Sequence, residues 1–266
     1  MAVSRERRSN LKTNRFQDKV VLVTGGNSGI GRAAALQFAR EGAAVVIAAR
    51  REEQGNAVLT EIKNNKGRAR FIQTDVTKKE DIENLFKVIG NEYGRLDCAF
   101  NNAGVSSPTM RRVVNTTMEE WDWMMNTNVK GVWQCMKQEI PLMLKQGGGA
   151  IVNNSSIAGI GTEIGLSVYA ASKHAVLGLT RAAALDYAHR KVRINAVCPG
   201  FIHTPMLEEP WKLNPQIKDL TLAMIPMKRF GKPEEIASAV LWMCSEEASF
   251  MTGKEMVIGG GQAIRA

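Results

Sequence analysis

Tyr169 and Lys173 lie four residues apart in Tyr169-Ala170-Ala171-Ser172-Lys173, and Ser156 precedes the tyrosine by thirteen positions. On a helix, residues i and i+4 share one face, so the phenol and the ammonium can meet. A free phenol has a pKa near ~10 and is a poor base at neutral pH. A neighbouring cation favours the phenolate and draws that pKa down. The pair predicts a general acid/base that moves a proton to or from an oxygen. Tyrosine and lysine at this spacing also occur by chance, so the rest of the chain has to supply a site for them.

That site needs a scaffold, and the chain reads as one. Short apolar runs alternate with amphipathic stretches. Val20–Val23, Ala44–Ala48, Arg70–Gln73, Leu96–Phe100, Ala150–Asn153, Val192–Val197 and Glu255–Ile258 read as seven strands. Helical patterns fall between them, at about 30–40, 52–65, from 77 onward, 117–144, through Tyr169 and Lys173 to about 188, and from Pro233. Thr77-Lys78-Lys79-Glu80 and Thr117-Met118-Glu119-Glu120 read as capping boxes. Pro141 is expected to kink or end its helix. Such alternation implies right-handed βαβ crossovers and an α/β fold: a single-domain, doubly wound sheet of about seven parallel strands with helices on both faces.

Thr24-Gly25-Gly26-Asn27-Ser28-Gly29-Ile30-Gly31 joins the first strand to its helix. Gly25 allows a tight turn, and Gly29 and Gly31 let the backbone approach a diphosphate at the helix N-terminus. Glycine turns also simply connect strands to helices, so position after the first buried strand gives the motif its weight. In an NAD site an acidic residue commonly ends the second strand and grips the ribose 2′-hydroxyl. Here Ala49 stands in that place and Arg50 and Arg51 follow. A guanidinium pairs well with a 2′-phosphate. The pattern favours NADP(H), while Glu52 or Glu53 keeps NAD(H) open. Asp75, followed by Val76, ends the third strand and could meet an adenine amino group or cap a turn with Thr77.

The chain has 266 residues, 44% of them hydrophobic, and a net charge of +9. That size suits one large core. No apolar run approaches the ~20 residues of a membrane span, and residues 1–15 hold no apolar stretch of a signal peptide. Cys98, Cys135, Cys198 and Cys244 form no paired motif, and His174, His189 and His203 lack metal-ligand spacing. A cytoplasmic enzyme with reduced thiols and no metal is expected. Residues 1–18 read as a basic, loose tail ahead of a domain at 19–266. Without interleaved aromatics, a solvated tail is preferred to a nucleic-acid arm.

Together these residues resemble the short-chain dehydrogenase/reductase family from about Lys19 to Ala263. The likeness rests on the glycine turn, Asp75, Asn101-Asn102-Ala103-Gly104, Asn128, Ser156, Tyr169, Lys173 and Pro199-Gly200. The resemblance implies that Tyr169 is the proton donor or acceptor and that Ser156 polarises the substrate oxygen. Lys173 would lower the tyrosine pKa and hold ribose hydroxyls. Asn128 would hold a water that resupplies protons. Cofactor contacts would include Gly25, Asn27, Ser28, Gly29, Ile30 and Gly31 in the turn, and Arg50, Arg51, Asp75 and Val76 beyond it. Asn102, Ala103, Gly104, Tyr169, Lys173, Ile202 and Thr204 would complete them. Asn154 departs from the family's usual apolar residue before the paired serines, and Gly259 from an acidic one before the last glycines.

The resemblance also implies a lid at about 204–226, whose Met206, Leu207, Trp211, Leu213, Leu220, Leu222, Met224 and Ile225 suit a hydrophobic ketone or secondary alcohol or else pack the lid down. Glu163 could reach a polar substrate group. A homotetramer or homodimer is implied, with no membrane or nucleic-acid partner. Two other readings stand beside this one: reduction of a 3-oxoacyl group on an acidic carrier protein, and a non-catalytic dinucleotide-binding interaction protein.

Overall fold

Residues buried on both faces of a parallel sheet form continuous apolar runs. The strands are β1 (Val20–Thr24), β2 (Ala44–Ala49), β3 (Arg68–Gln73), β4 (Cys98–Asn101), β5 (Gly149–Asn154), β6 (Val192–Pro199) and β7 (Glu255–Ile258). The central strands carry such runs, while the edge strands β3 and β7 are partly exposed. The computed structural model describes residues 14–107 and 110–262. The sheet order is β3-β2-β1-β4-β5-β6-β7, and every pairing is parallel. Strand order reverses between β1 and β4, so a crevice opens beyond their carboxyl ends.

The helices are α1 (Gly29–Arg40), α2 (Glu52–Asn64), α3 (Lys79–Tyr93), α4 (Met118–Met125), α5 (Gly131–Lys145), α6 (Ser167–Tyr187), α7 (Pro205–Leu213), α8 (Gln216–Ala223) and α9 (Pro233–Cys244). Strand alternation divides the core in two. Val21, Val23, Val45 and Ile47 meet α1, α2 and α9 on one face. Val20, Leu22 and Val46 meet α3, α5 and α6 on the other.

Four expectations change. Most of the basic segment 1–18 lies outside the described residues, yet its end belongs to the packed domain. Phe16 is buried, its ring edge-on to Phe38 at 4.8 Å, and Arg15 pairs with Glu41 at 2.6 Å. Thr77 does not cap α3; its hydroxyl donates to Asp75 Oδ1 at 2.8 Å, and the helix starts at Lys79. Thr117, by contrast, does cap α4, accepting from Glu120 N at 3.2 Å. Pro141 lies inside α5 without ending it, on the exposed side where water can serve the Lys137 carbonyl it leaves free. The break falls earlier, in a single π-helical turn at Asn126–Lys130. Lastly, the 204–226 segment, where no helical pattern is read above, contains two helices, α7 and α8.

Candidate active site

The crevice floor is made from the β1–α1 turn and the end of β4. Gly25 and Gly29 have φ of +63° and +51°, left-handed values that favour glycine. A Cβ on Gly25 would lie 2.9 Å from Asn102 Nδ2 and 3.0 Å from Ala103 Cα, and one on Gly31 would overlap the Gly25 carbonyl. Thr24 Oγ1 accepts from the backbone N–H groups of Asn102 and Ala103, each at 3.0 Å. Asn102 Nδ2 donates to the carbonyls of Thr24 at 3.0 Å and Gly25 at 3.2 Å. The turn is thus stapled to β4 before any ligand arrives. The free N–H groups of α1 and the bare glycine backbone beside them fit a diphosphate. Ile30 packs into the core beneath them.

Arg51 leans over the turn. Its Nη2 donates to Ser28 Oγ at 3.1 Å, and the Asn27 amide oxygen accepts from Nε and Nη2 at 3.1 Å. Arg50 is exposed, and its carbonyl accepts from Gln73 Nε2 at 3.0 Å. Asp75 Oδ1 accepts from Thr77 N at 3.0 Å and Thr77 Oγ1 at 2.8 Å, so one of its oxygens caps a local turn. Val76 is buried and sits where a Cβ on Gly131 would touch it. Ile202 is buried. Thr204 is the N-cap residue of α7, and its methyl faces Gly29.

The opposite wall carries the candidate chemistry. Ser156 follows β5 and is buried, its Oγ accepting from Ala158 N at 3.1 Å. Tyr169 and Lys173 share a face of α6, with Nζ 5.7 Å from the ring centroid. Lys173 is almost fully buried, and its Nζ donates to the Asn154 carbonyl at 2.9 Å. Burial draws its pKa down to about 8. The phenol moves the opposite way from expectation. Burial raises the Tyr169 pKa, the Ser156 hydroxyl draws it back only in part, and the Cys198 thiol adds to the rise. The i, i+4 spacing brings the pair together, but the ammonium is turned to a backbone carbonyl and is itself poorly solvated.

The Asn128 side chain is taken up by protein partners. It is fully buried in the π-turn. Its Oδ1 accepts from Val105 N at 2.8 Å, while Nδ2 donates to Val105 O at 2.9 Å and Ser172 Oγ at 3.1 Å. Both Nδ2 hydrogens are committed, so the amide nitrogen clamps the loop after β4 against α6 and has none left for a water. Gly104 lies between this amide and Lys173: a Cβ there would be 3.2 Å from Asn128 Oδ1 and 3.5 Å from Lys173 Nζ.

The chain is similar to known proteins over most of its length. A family model described as enoyl-(acyl carrier protein) reductase matches residues 25–263. A 3-oxoacyl-[acyl-carrier-protein] reductase of Thermotoga maritima is 40% identical over 250 residues, covering 94% of this chain and 100% of that protein. A cyclohexanol dehydrogenase of Acinetobacter is 38% identical, covering 94% of this chain and 97% of that one. The crystal structure of levodione reductase matches with a TM-score of 0.90 and 34% identity over 94% of this chain and 100% of that chain. The chain belongs to the short-chain dehydrogenase/reductase family. It is an oxidoreductase of CH–OH groups that uses NAD(P)(H). Among the described residues no helix is long and apolar enough to cross a membrane.

Sequence reasoning passed over the part played by Asn154. Its Nδ2 donates to Asn102 Oδ1 at 3.0 Å, while its carbonyl holds Lys173. One residue therefore links the glycine turn to the lysine of the candidate site. The signal was the polar residue where the family commonly has an apolar one.

Proposed function

We propose that this enzyme interconverts a ketone and a secondary alcohol on a small, apolar molecule with NADP(H), using Tyr169 as general acid/base. The observation that carries the reading is the convergence of Ser156, Tyr169 and Lys173 on the wall of a crevice floored by the glycine turn. When bound on the glycine turn, the cofactor would supply or take up the hydride. In the reductive direction Tyr169 delivers its proton to the carbonyl oxygen, and the Ser156 hydroxyl donates a hydrogen bond to the same oxygen. A phenol kept protonated by burial suits this role, since the proton has to be present before it is given. With its pKa near 8, Lys173 gains charge as anionic groups approach, and that charge stabilises phenolate after transfer. Asn128 keeps α6 and the loop after β4 in place.

For the cofactor, Arg51 supports NADP(H): its guanidinium is pre-oriented by Asn27 and Ser28, so less freedom is lost when it pairs with a 2′-phosphate. For the substrate, Met110, Ile164, Met206 and Met224 leave apolar surface exposed. Trp211 and Ile225 instead pack the α7–α8 segment down: both are buried, and Trp211 meets Phe230 at 4.9 Å. The similarity to the Thermotoga reductase supports a second reading, a 3-oxoacyl group on an acidic carrier, in line with the net charge of +9. Trp121, Trp133 and Leu185 expose apolar surface on α4, α5 and α6, which fits a homo-oligomer testable by light scattering.

Steady-state assays with NADPH and NADH on cyclic ketones, aryl ketones, sugars and free or carrier-bound 3-oxoacyl thioesters test the assignment. NADPH-driven turnover of the cyclic or aryl ketones is expected. Turnover confined to sugars overturns the apolar substrate, and a preference for NADH overturns the cofactor assignment.

A further inference from the structure

Directly behind the active site lies a carboxyl group that the proposed reaction does not use. Glu139 of α5 is completely buried. Its Oε2 accepts from Asn101 Nδ2 at 3.1 Å. The same Nδ2 donates to Asn153 Oδ1 at 3.0 Å, and Asn153 Nδ2 donates to Thr180 Oγ1 at 2.9 Å. Asn101 and Asn153 are register partners on β4 and β5. Two oxygens of this cluster are buried without a hydrogen-bond partner: Glu139 Oε1 and Asn101 Oδ1. They belong to two groups already joined through their other atoms. Two unpartnered acceptors in a dry core are costly, and a proton on Glu139 Oε1 would give each of them a partner.

We propose that Glu139 is a positioning residue that works as a neutral acid: a proton on Oε1, donated to Asn101 Oδ1, closes a cyclic acid–amide pair that holds the ends of β4 and β5 together beneath the active site. The pair has direct reach into that site. Asn101 precedes Asn102, which staples the glycine turn, and Asn153 precedes Asn154, which holds Lys173. Thr180 ties the same cluster to α6, two turns beyond Lys173.

The surroundings agree. Burial raises the Glu139 pKa to about 8, against a smaller opposing effect of the Asn101 hydrogen bond. β4, β5 and α6 offer the cluster the neutral Asn101, Asn153 and Thr180. The register partner of Asn153 on β6 is the apolar Ala196, and the buried side chains that α3 contributes to this layer are the apolar Ile82, Leu85, Phe86 and Ile89. On α5 itself the titratable neighbour is the Cys135 thiol, one turn before, which burial and Glu139 push well above its usual range. No cation enters this set to stabilise a carboxylate. The sign of the linkage follows. With a folded pKa raised from the ordinary 4.5 to about 8, the stabilising proton is fully held below pH 4.5 and is lost as pH rises through about 8.

Glu139→Gln supplies the same two hydrogen bonds with no proton to lose, and it is the decisive variant. Thermal unfolding and kcat are measured from pH 5 to pH 9 for wild type and variant, and the infrared carbonyl band of a protonated buried carboxyl is compared between them. The expected result has three parts. The two melting temperatures nearly coincide at pH 5, and the variant melts progressively higher up to about pH 8.5. The wild type shows a protonated-carboxyl band at pH 6 that the variant lacks. Above pH 8, wild-type kcat falls by several-fold more than that of Glu139→Gln, while KM for the cofactor changes little. Parallel melting curves, absence of the infrared band, or identical kcat profiles would each overturn the proposal. If Glu139→Gln does not fold, the infrared band in wild type, titrated with pH, decides alone.

Discussion

Two adjacent rows of asparagine cross the same pair of strands, and they do opposite work. Asn101 and Asn153 point into the sealed layer under α5 and α6, where they meet Glu139. Asn102 and Asn154 follow one residue later, where the strands give out into the crevice, and they meet the glycine turn and Lys173. Strand alternation alone separates the rows. Each ends on an ionisable group that burial pushes toward neutrality: the carboxyl up to about 8 and the ammonium down to about 8. The difference is access. On the proposed function Lys173 borders the cofactor crevice, so an anionic ligand bound there would restore its charge. Glu139 has no such route, and its neutral form is a fixed part of the scaffold. A titratable group becomes part of the chemistry when its burial can be relieved by a ligand, and part of the frame when it cannot.

The largest effect separates chemistry from frame. Tyr169→Phe removes the proton but leaves both asparagine rows untouched. Turnover should fall by about a thousandfold or more, within the range seen for lost general acids. Cofactor affinity by fluorescence titration and melting temperature should hardly move. Near-wild-type turnover would remove the upper row's claim to serve the reaction.

Next comes the pH dependence of stability. Glu139 makes stability fall as pH rises between its ordinary 4.5 and about 8. Lys173 acts in the other window: between about 8 and its ordinary 10.5 the unfolded chain binds the proton that the folded chain releases, so stability rises with pH. Together the two groups predict a minimum near pH 8, with limbs on the order of 3–5 kcal/mol. In denaturant titrations Glu139→Gln should flatten the first limb and Lys173→Met the second. If Lys173→Met leaves the alkaline limb intact, the lysine is better solvated than its contacts imply and the symmetry of the two rows is lost.

Much of this arrangement can be read from residue order, and most of the misreadings come from partners distant in sequence. Seven parallel strands and the crevice at their reversal follow from short runs alternating with helical patterns, because burial on both faces leaves a continuous hydrophobic signature in the central strands, and the edge strands β3 and β7 follow from their place in the alternation. The Thr117 cap is local and was legible. Thr77 looked identical, but Asp75 competes for its hydroxyl. The π-turn at 126–130 was invisible, since Asn128 is fixed by Val105 and Ser172, far away in sequence. The tyrosine pKa was misjudged for the same reason. Spacing shows that Lys173 is near, whereas burial and the Asn154 carbonyl decide what its charge can do. Phe16 likewise reads as tail until Phe38 is placed beside it.

A smaller effect tests how far the upper row reaches. Arg51 is oriented by Asn27 and Ser28 in the turn that Asn102 staples. Arg51→Ala should weaken NADPH binding by roughly tenfold, the worth of one exposed charge-assisted contact, and leave NADH binding unchanged. Calorimetry with both nucleotides checks this. Equal losses for the two would mean that Arg51 shapes the turn and does not read the 2′-position.

The smallest effect is the most direct test of the comparison. Asn154→Val deletes one hydrogen bond to Asn102 and also an unpartnered buried oxygen, Asn154 Oδ1. These oppose each other, so unfolding free energy should change by less than about 1 kcal/mol. The backbone carbonyl that holds Lys173 remains, so kcat should stay near wild type. What is lost is the grip on Asn102, whose Nδ2 still reaches Thr24 and Gly25 but whose plane is no longer fixed from the other side. Cofactor KM should therefore rise by about threefold to fivefold, the equivalent of a single neutral hydrogen bond. A fall in kcat with KM unchanged would show instead that Asn154 acts through Lys173, and that the turn and the lysine are held separately.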